Sequence, residues 1–251
     1  MRAGRSVPML RIFYIFVVVA LLISACGDGA TPTPTQPPAQ GEEPTNEETG
    51  DGAREGTMRV SAFAISQTDP AQISSDAEVL VANHVYDYMV DIGPDNQIQP
   101  RLATSWTNSE DGLSYTFTLA EGITFHDGSP LTAEDVVWTY RRLRDTEGLP
   151  TADLYANITN IEATGELEVT FTLSQTNPFL LYDLSDNHAL IIKDGTEDAI
   201  DFNGTGPFRV VDYRPEDRIV MEANEDYFVE GQPNLAGLEI IFFSDQSASA
   251  D

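Results

Sequence analysis

The side chains able to do chemistry in this chain are few in kind. There are three histidines, His84, His126 and His188, and one cysteine, Cys26. A protein metal site needs two or more such ligands at a productive spacing, for example i and i+4 on a helix. These three histidines do not show it, so no metal ligands and no cofactor are expected. There is no Gly-x-Ser-x-Gly nucleophile elbow, no phosphate-binding loop and no dinucleotide fingerprint. Adjacent acids such as Glu110-Asp111 and Glu134-Asp135 say little in a chain with 41 Asp and Glu. A hydrolase using carboxylates alone stays open, but an enzyme is not the expectation.

Phe125 to Val137 is the densest local signal. Asp127-Gly128 is turn chemistry, because glycine reaches positive φ at no steric cost. Thr132 is placed to cap a helix, with Asp135 three residues on reaching back as in a capping box. Val136, Val137 and Tyr140 then form its apolar face. The segment reads as strand end, turn and helix start.

Before this stands a leader. Arg2, Arg5 and Arg11 precede an apolar run from Ile12 to Ala25, too short for the roughly 20 residues of a membrane span. A basic start, a short apolar core and small residues before a cut site describe a secretory signal over residues 1–25. The run ends Ile23-Ser24-Ala25-Cys26, which resembles a lipobox with Cys26 as the lipidated first residue of the mature protein; a plain signal with a chance cysteine is the alternative. Lipidation would leave no thiol for disulfides, which suits a large core better than a stapled miniature domain. Residues 26–56 read as a linker rich in Pro, Thr, Glu and Gly, without apolar periodicity. Its r.m.s. reach is roughly 30 Å, enough to hold a domain off a membrane surface.

The net charge is −28, with Lys193 the one lysine. Such a chain is repelled by nucleic acid and by anionic lipid headgroups, so neither is an expected partner. The acidity is read as a solvated surface suited to salt, or as attraction for cationic ligands.

From Thr57 onward the pattern is mixed α/β with several antiparallel pairs. Strands are expected at Met58 to Ala64, around Tyr115 to Leu119, and at Leu238 to Phe243. Helices are expected at Asp76 to Val90, at Ala133 to Arg144, and as a short turn at Pro178 to Leu184. Hairpins are expected around Thr164-Gly165-Glu166 and Arg214-Pro215-Glu216-Asp217, and a turn at Gly93 to Asn96. Ser244 to Ala248 reads as the start of a further helix, with Asp245 a possible cap.

Four blocks in order, besides Phe125 to Val137, carry a resemblance. They are Asn83-His84-Val85-Tyr86-Asp87-Tyr88, Pro100-Arg101-Leu102-Ala103-Thr104-Ser105-Trp106 continuing to Asp111-Gly112-Leu113-Ser114-Tyr115-Thr116-Phe117, Gly204-Thr205-Gly206-Pro207-Phe208, and Asn224-Glu225-Asp226-Tyr227-Phe228. Together they resemble the family 5 solute-binding proteins of bacterial ABC importers, the oligopeptide, dipeptide and nickel binders. Ala120 departs from the family's usual Arg or Lys. The resemblance implies a type II periplasmic-binding-protein fold, of which residues 57–251 would form the first lobe with its inserted subdomain, the second lobe missing. It implies capture of a peptide or similar small solute outside the cytoplasmic membrane, delivery to ABC permease subunits, and membrane attachment through the lipid on Cys26. With one wall of a cleft, the segment alone is expected to bind solute negligibly. A surface lipoprotein used for adhesion or scaffolding is the other class of reading. By resemblance the loop Asp69 to Asp76 borders the cleft, so Ser74, Ser75 and Asp76 are candidate ligand contacts, and Tyr155 is a candidate pocket aromatic. From chemistry alone Ser74 could equally neighbour a helix cap, and Tyr155, Trp106 and Tyr115 could be core. Gly204 and Gly206 permit a close backbone approach, either structural or at the cleft.

Overall fold

The computed structural model describes residues 55–196 and 201–243. The leader, Cys26, most of the linker and the helix start at Ser244 lie outside the described residues. Two hydrophobic cores organise the rest.

The first core is built from both ends of the described chain. Strand β1 (Thr57–Phe63) runs parallel to β10 (Gly237–Phe243), which pairs antiparallel with β9 (Arg218–Ala223), itself antiparallel to β8 (Phe208–Arg214). Helix α1 (Asp76–Val85) covers this sheet. Val81, Val85 and Tyr86 pack with Phe208, Ile219, Met221, Leu238 and Ile240. Every second residue of β10 (Leu238, Ile240, Phe242) faces this core, as a strand's two-residue period requires. β1 and β8 are the edge strands, and Met58 and Phe63 on β1 are each about half exposed (52% and 50%).

The second core is drawn mainly from the intervening residues. β2 (Val90–Ile92) and β3 (Ile98–Pro100) make a small hairpin. A four-stranded antiparallel sheet follows in the order β4 (Ala103–Asn108), β5 (Ser114–Leu119), β7 (Glu168–Leu173), β6 (Ile158–Gly165). Helix α2 (Ala133–Asp145) lies across β6 and β7, and the single turns α3 (Ala152–Tyr155) and α4 (Leu180–Asp183) close the layer. Phe117, Phe125, Val136, Tyr140, Phe171 and Leu184 fill this core. The Phe117 and Tyr140 rings meet Phe171 edge-on at 5.5 and 5.2 Å, the arrangement aromatic quadrupoles favour. Residues near 87–191 are thus inserted between the two parts of the first core. Among the described residues no helix is long and apolar enough to cross a membrane.

The α2 cap forms as its sequence predicts. The Asp135 carboxylate accepts from the Thr132 amide at 2.8 Å and hydroxyl at 3.0 Å, within a capping box. Both hairpins and the β2–β3 turn also form where expected. The first helix is a correction: it ends at Val85, five residues before Val90. Tyr86 is extended (φ −123°, ψ 164°), and the Val85 carbonyl accepts from the Gly206 amide at 2.8 Å. A tertiary contact therefore takes the end of the helix, and apolar spacing alone could not foretell it. Strands β2, β3 and β4 and the turn α3 went unpredicted, being short and lacking a clean period.

Asp87, just past that helix end, is 1% exposed. Its carboxylate accepts from Arg101 Nε at 2.7 Å, from the Tyr227 hydroxyl at 3.0 Å and from Thr205 Oγ1 at 3.0 Å. Arg101 also lies over the Tyr227 and Phe228 rings, 5.9 Å from each centroid. Four separate segments meet at this one buried charge.

Candidate ligand-binding wall

Parallel strands place their carboxyl ends on one side, and in α/β sheets that side is where ligands bind. Here β1 and β10 both end there, at Phe63 and Phe243, with rings 4.7 Å apart. The chain leaves β1, makes a 3-10 turn at Pro70–Gln72 and enters α1 through Ser75, its N-cap. Ser74, Ser75 and Asp76 all lie exposed on this connection. Glu78 accepts from the Ser75 amide at 3.1 Å, and Ser75 Oγ accepts from the Glu78 amide at 3.3 Å, a reciprocal capping box. Ser75 thus serves the helix while remaining at the surface, and Ser74 adjoins that cap. Asp76 begins the helix, where the dipole favours a negative charge.

The connection is braced in its middle. Asp69 accepts from the Ala71 amide at 3.0 Å and from both terminal nitrogens of Arg142 on α2. Burial pushes the Asp69 pKa up, but the Arg142 fork and the other donors outweigh it and hold the carboxyl below its usual range. The Ile73 carbonyl lies 3.0 Å from His188 Nε2, whose Nδ1 sits 2.6 Å from Asp186.

Tyr155 is placed elsewhere. Its ring is fully buried, edge-on to Tyr140 at 5.5 Å, and its hydroxyl donates to the Asp183 carbonyl at 2.7 Å. The structure does not bring it to the exposed connection. Trp106 and Tyr115 are half-buried against the second core. Gly204 and Gly206 approach the end of α1 rather than the connection: a Cβ on Gly204 would stand 2.0 Å from the Val85 oxygen, and one on Gly206 2.5 Å from the Val85 carbonyl carbon. The histidines are occupied by the fold. His84 Nδ1 lies 2.7 Å from the Leu80 carbonyl, and His126 lies between the Phe202 and Gly206 carbonyls at 3.2 and 3.0 Å. Among the described residues no three His, Cys, Asp or Glu side chains are grouped to hold a metal. An open groove of about 860 Å³, lined by Thr57, Glu222, Glu225, Pro233 and Gly237, lies at the opposite ends of β1 and β10.

Sequence reasoning missed Glu78, Asp69 and Arg142. The Ser75-x-x-Glu78 spacing was available as a signal for the first. Nothing in the sequence pairs Asp69 with Arg142, 73 residues apart.

The model of the bacterial extracellular solute-binding proteins, family 5 (middle) matches residues 97–251. The uncharacterized protein YhjP of Bacillus subtilis is 31% identical over 199 residues, covering 78% of this chain and 34% of YhjP. The oligopeptide-binding protein AppA of the same organism is 31% identical over 176 residues, covering 64% of this chain and 32% of AppA. The structure of AppA with a nonapeptide superposes with a TM-score of 0.69 at 27% identity, over 78% of this chain and 41% of that one. The binding protein AgaA of A. tumefaciens R10, solved with agropinic acid, gives 0.72 at 25%, over 77% and 41%. The chain spans about a third of the length of these curated relatives. The architecture is that of part of a type II periplasmic binding protein; AppA is an oligopeptide-binding protein, and the matching family is one of solute-binding proteins rather than enzymes. The chain belongs to the bacterial extracellular solute-binding proteins of family 5.

Proposed function

We propose that this chain is part of the substrate-binding lipoprotein of an ABC importer, capturing a peptide outside the cytoplasmic membrane and handing it to permease subunits. Residues 57–251 act as the first lobe with its inserted subdomain, and the connection from Ser66 to Asp76, exposed at Ser66, Gln67, Gln72 and Ser74 to Asp76, is its cleft wall. The observation that carries the reading is family membership combined with a polar, braced loop at the carboxyl ends of two parallel strands. Peptide as the cargo is supported by the oligopeptide named for AppA. Solute bridges this wall and a second lobe, and interactions that form only on closure drive the closed state. Ser74, Ser75 and Asp76 touch the solute; Tyr155 supports the fold from within. Cys26 carries the lipid, and residues 26–56 tether the domain to the membrane.

Titration calorimetry of the chain at its full encoded length, with alanine oligomers of two to five residues, tests the reading. Micromolar binding, about −8 kcal/mol, is expected for at least one oligomer, and no heat with residues 57–251 alone. Absence of binding to every oligomer at full length overturns the peptide assignment.

A further inference from the structure

One side chain receives far more hydrogen bonds than its place in a helix cap calls for. Glu78 is 2% exposed. Its Oε2 accepts from the amides of Ser74 at 2.7 Å and Ser75 at 3.1 Å. Its Oε1 accepts from the Ser66 amide at 2.9 Å, the Ser66 hydroxyl at 2.8 Å and the Gln67 amide at 2.9 Å. A carboxylate has about four lone-pair sites, so this one is saturated. A capping box needs only the bond to the N-cap amide. The bonds to Ser66 and Gln67, 12 and 11 residues back, serve no helix end. They draw the start of the connection against its finish, so that both ends of the loop close on one buried charge. Four backbone amides that no strand or helix satisfies find their acceptor there.

We propose that Glu78 is a positioning residue that holds residues 66–75 in their solute-binding shape before solute arrives. This rests on the reading of that loop as the cleft wall. A preformed wall removes the ordering cost that a floppy loop would charge against affinity. It also limits how the wall can act. The Ser74 and Ser75 amides are committed to Glu78 and the Ser75 carbonyl to the Val79 amide, so these residues meet solute through their side chains and the Ser74 carbonyl.

The two parts of the role can be separated chemically. Asp135 shows, within this same chain, that aspartate at the third helical position completes a capping box. Glu78→Asp therefore keeps the cap but is one methylene short of Ser66 and Gln67, whereas Glu78→Gln sets an NH₂ against some of the donors. The test is amide hydrogen exchange on the full-length protein without solute, followed by calorimetry and association kinetics with the tightest-binding alanine oligomer. In Glu78→Asp, exchange at Ser66 and Gln67 is expected to quicken tenfold or more, with Ser75, Phe171 and Ile240 unchanged. Affinity is expected to fall about tenfold, mainly through slower association, because fewer molecules hold the competent loop. Glu78→Gln extends the loss of protection to Ser74 and Ser75. Unchanged protection at Ser66 and Gln67 overturns the proposal, as does lost protection with unchanged affinity. If no alanine oligomer binds the unmodified protein, the peptide reading fails, while the exchange results still decide whether Glu78 holds the loop.

Discussion

Replacing Asp87 with alanine should destabilise the protein more than any surface charge substitution. The carboxylate is 1% exposed and is the common acceptor for Arg101, Tyr227 and Thr205. Removing it takes the acceptor from two hydroxyls and the counter-charge from a guanidinium whose side chain is 26% exposed and which keeps its bond to the Tyr227 hydroxyl. Three bonds to a charged acceptor at about 1.5–3 kcal/mol each set an upper bound. Arg101 recovers part of this from water, so the expected loss is that of breaking a buried pair, about 3–5 kcal/mol. Total stability is about 5–15 kcal/mol, so much of it goes. For a domain of this size the thermal midpoint drops by about 6–20 °C. Urea unfolding with linear extrapolation measures the loss directly. Asp87→Asn retains one acceptor oxygen and should cost about half as much. The double variant Asp87→Ala/Arg101→Ala should fall short of the sum of the singles by about 1–3 kcal/mol, because the orphaned charge is gone. A loss below about 1 kcal/mol for Asp87→Ala, or strict additivity in the double variant, would refute the assignment of Asp87 as the joint between segments.

Gly204→Ala and Gly206→Ala should each cost about 3 kcal/mol or more, since the new Cβ meets the Val85 backbone, which cannot swing aside. Gly128→Ala has open space and only its φ of +83° against it, so about 1 kcal/mol is expected; equal losses at the three sites, read by thermal unfolding, would count against the close approach. Burial alone would raise the Glu78 pKa, yet its many donors bring it down to about 2 from an ordinary 4.5. A folded pKa below the unfolded one means that this stabilisation is present above about pH 4.5 and is lost as pH falls towards 2; loop amides that stay protected at pH 2.5 while Glu78→Gln loses them at pH 7 would contradict this sign. With a net charge of −28, raising NaCl from about 0.05 M to about 1 M, where the Debye length is about 3 Å, should raise the unfolding midpoint by screening self-repulsion. A midpoint that falls with salt would refute that.

The parts of the fold legible in advance were those specified by neighbours in the chain. Thr132 and Asp135 are three residues apart, and their box forms. Val169, Phe171 and Leu173 alternate, and all three are buried. The turn at Arg214 to Asp217 joins the strands expected of it. The illegible parts hang on distant partners. Where α1 stops depends on Gly206, and the brace of the connection depends on Arg142.

The order of local elements, the acidity and the family-specific blocks all reside in the linear chain, because caps, turns and periodicity act over a few residues. Only the tertiary structure showed which carboxylates beyond the helix caps take up donors from other parts of the chain. Asp69, Glu78 and Asp87 are three acids among 41 in the sequence, and composition cannot tell them from the rest. They differ because folding surrounds each with donors, from segments far apart in sequence for Asp69 and Asp87 and from both ends of one loop for Glu78, and such donors offset the cost of taking a charge out of water.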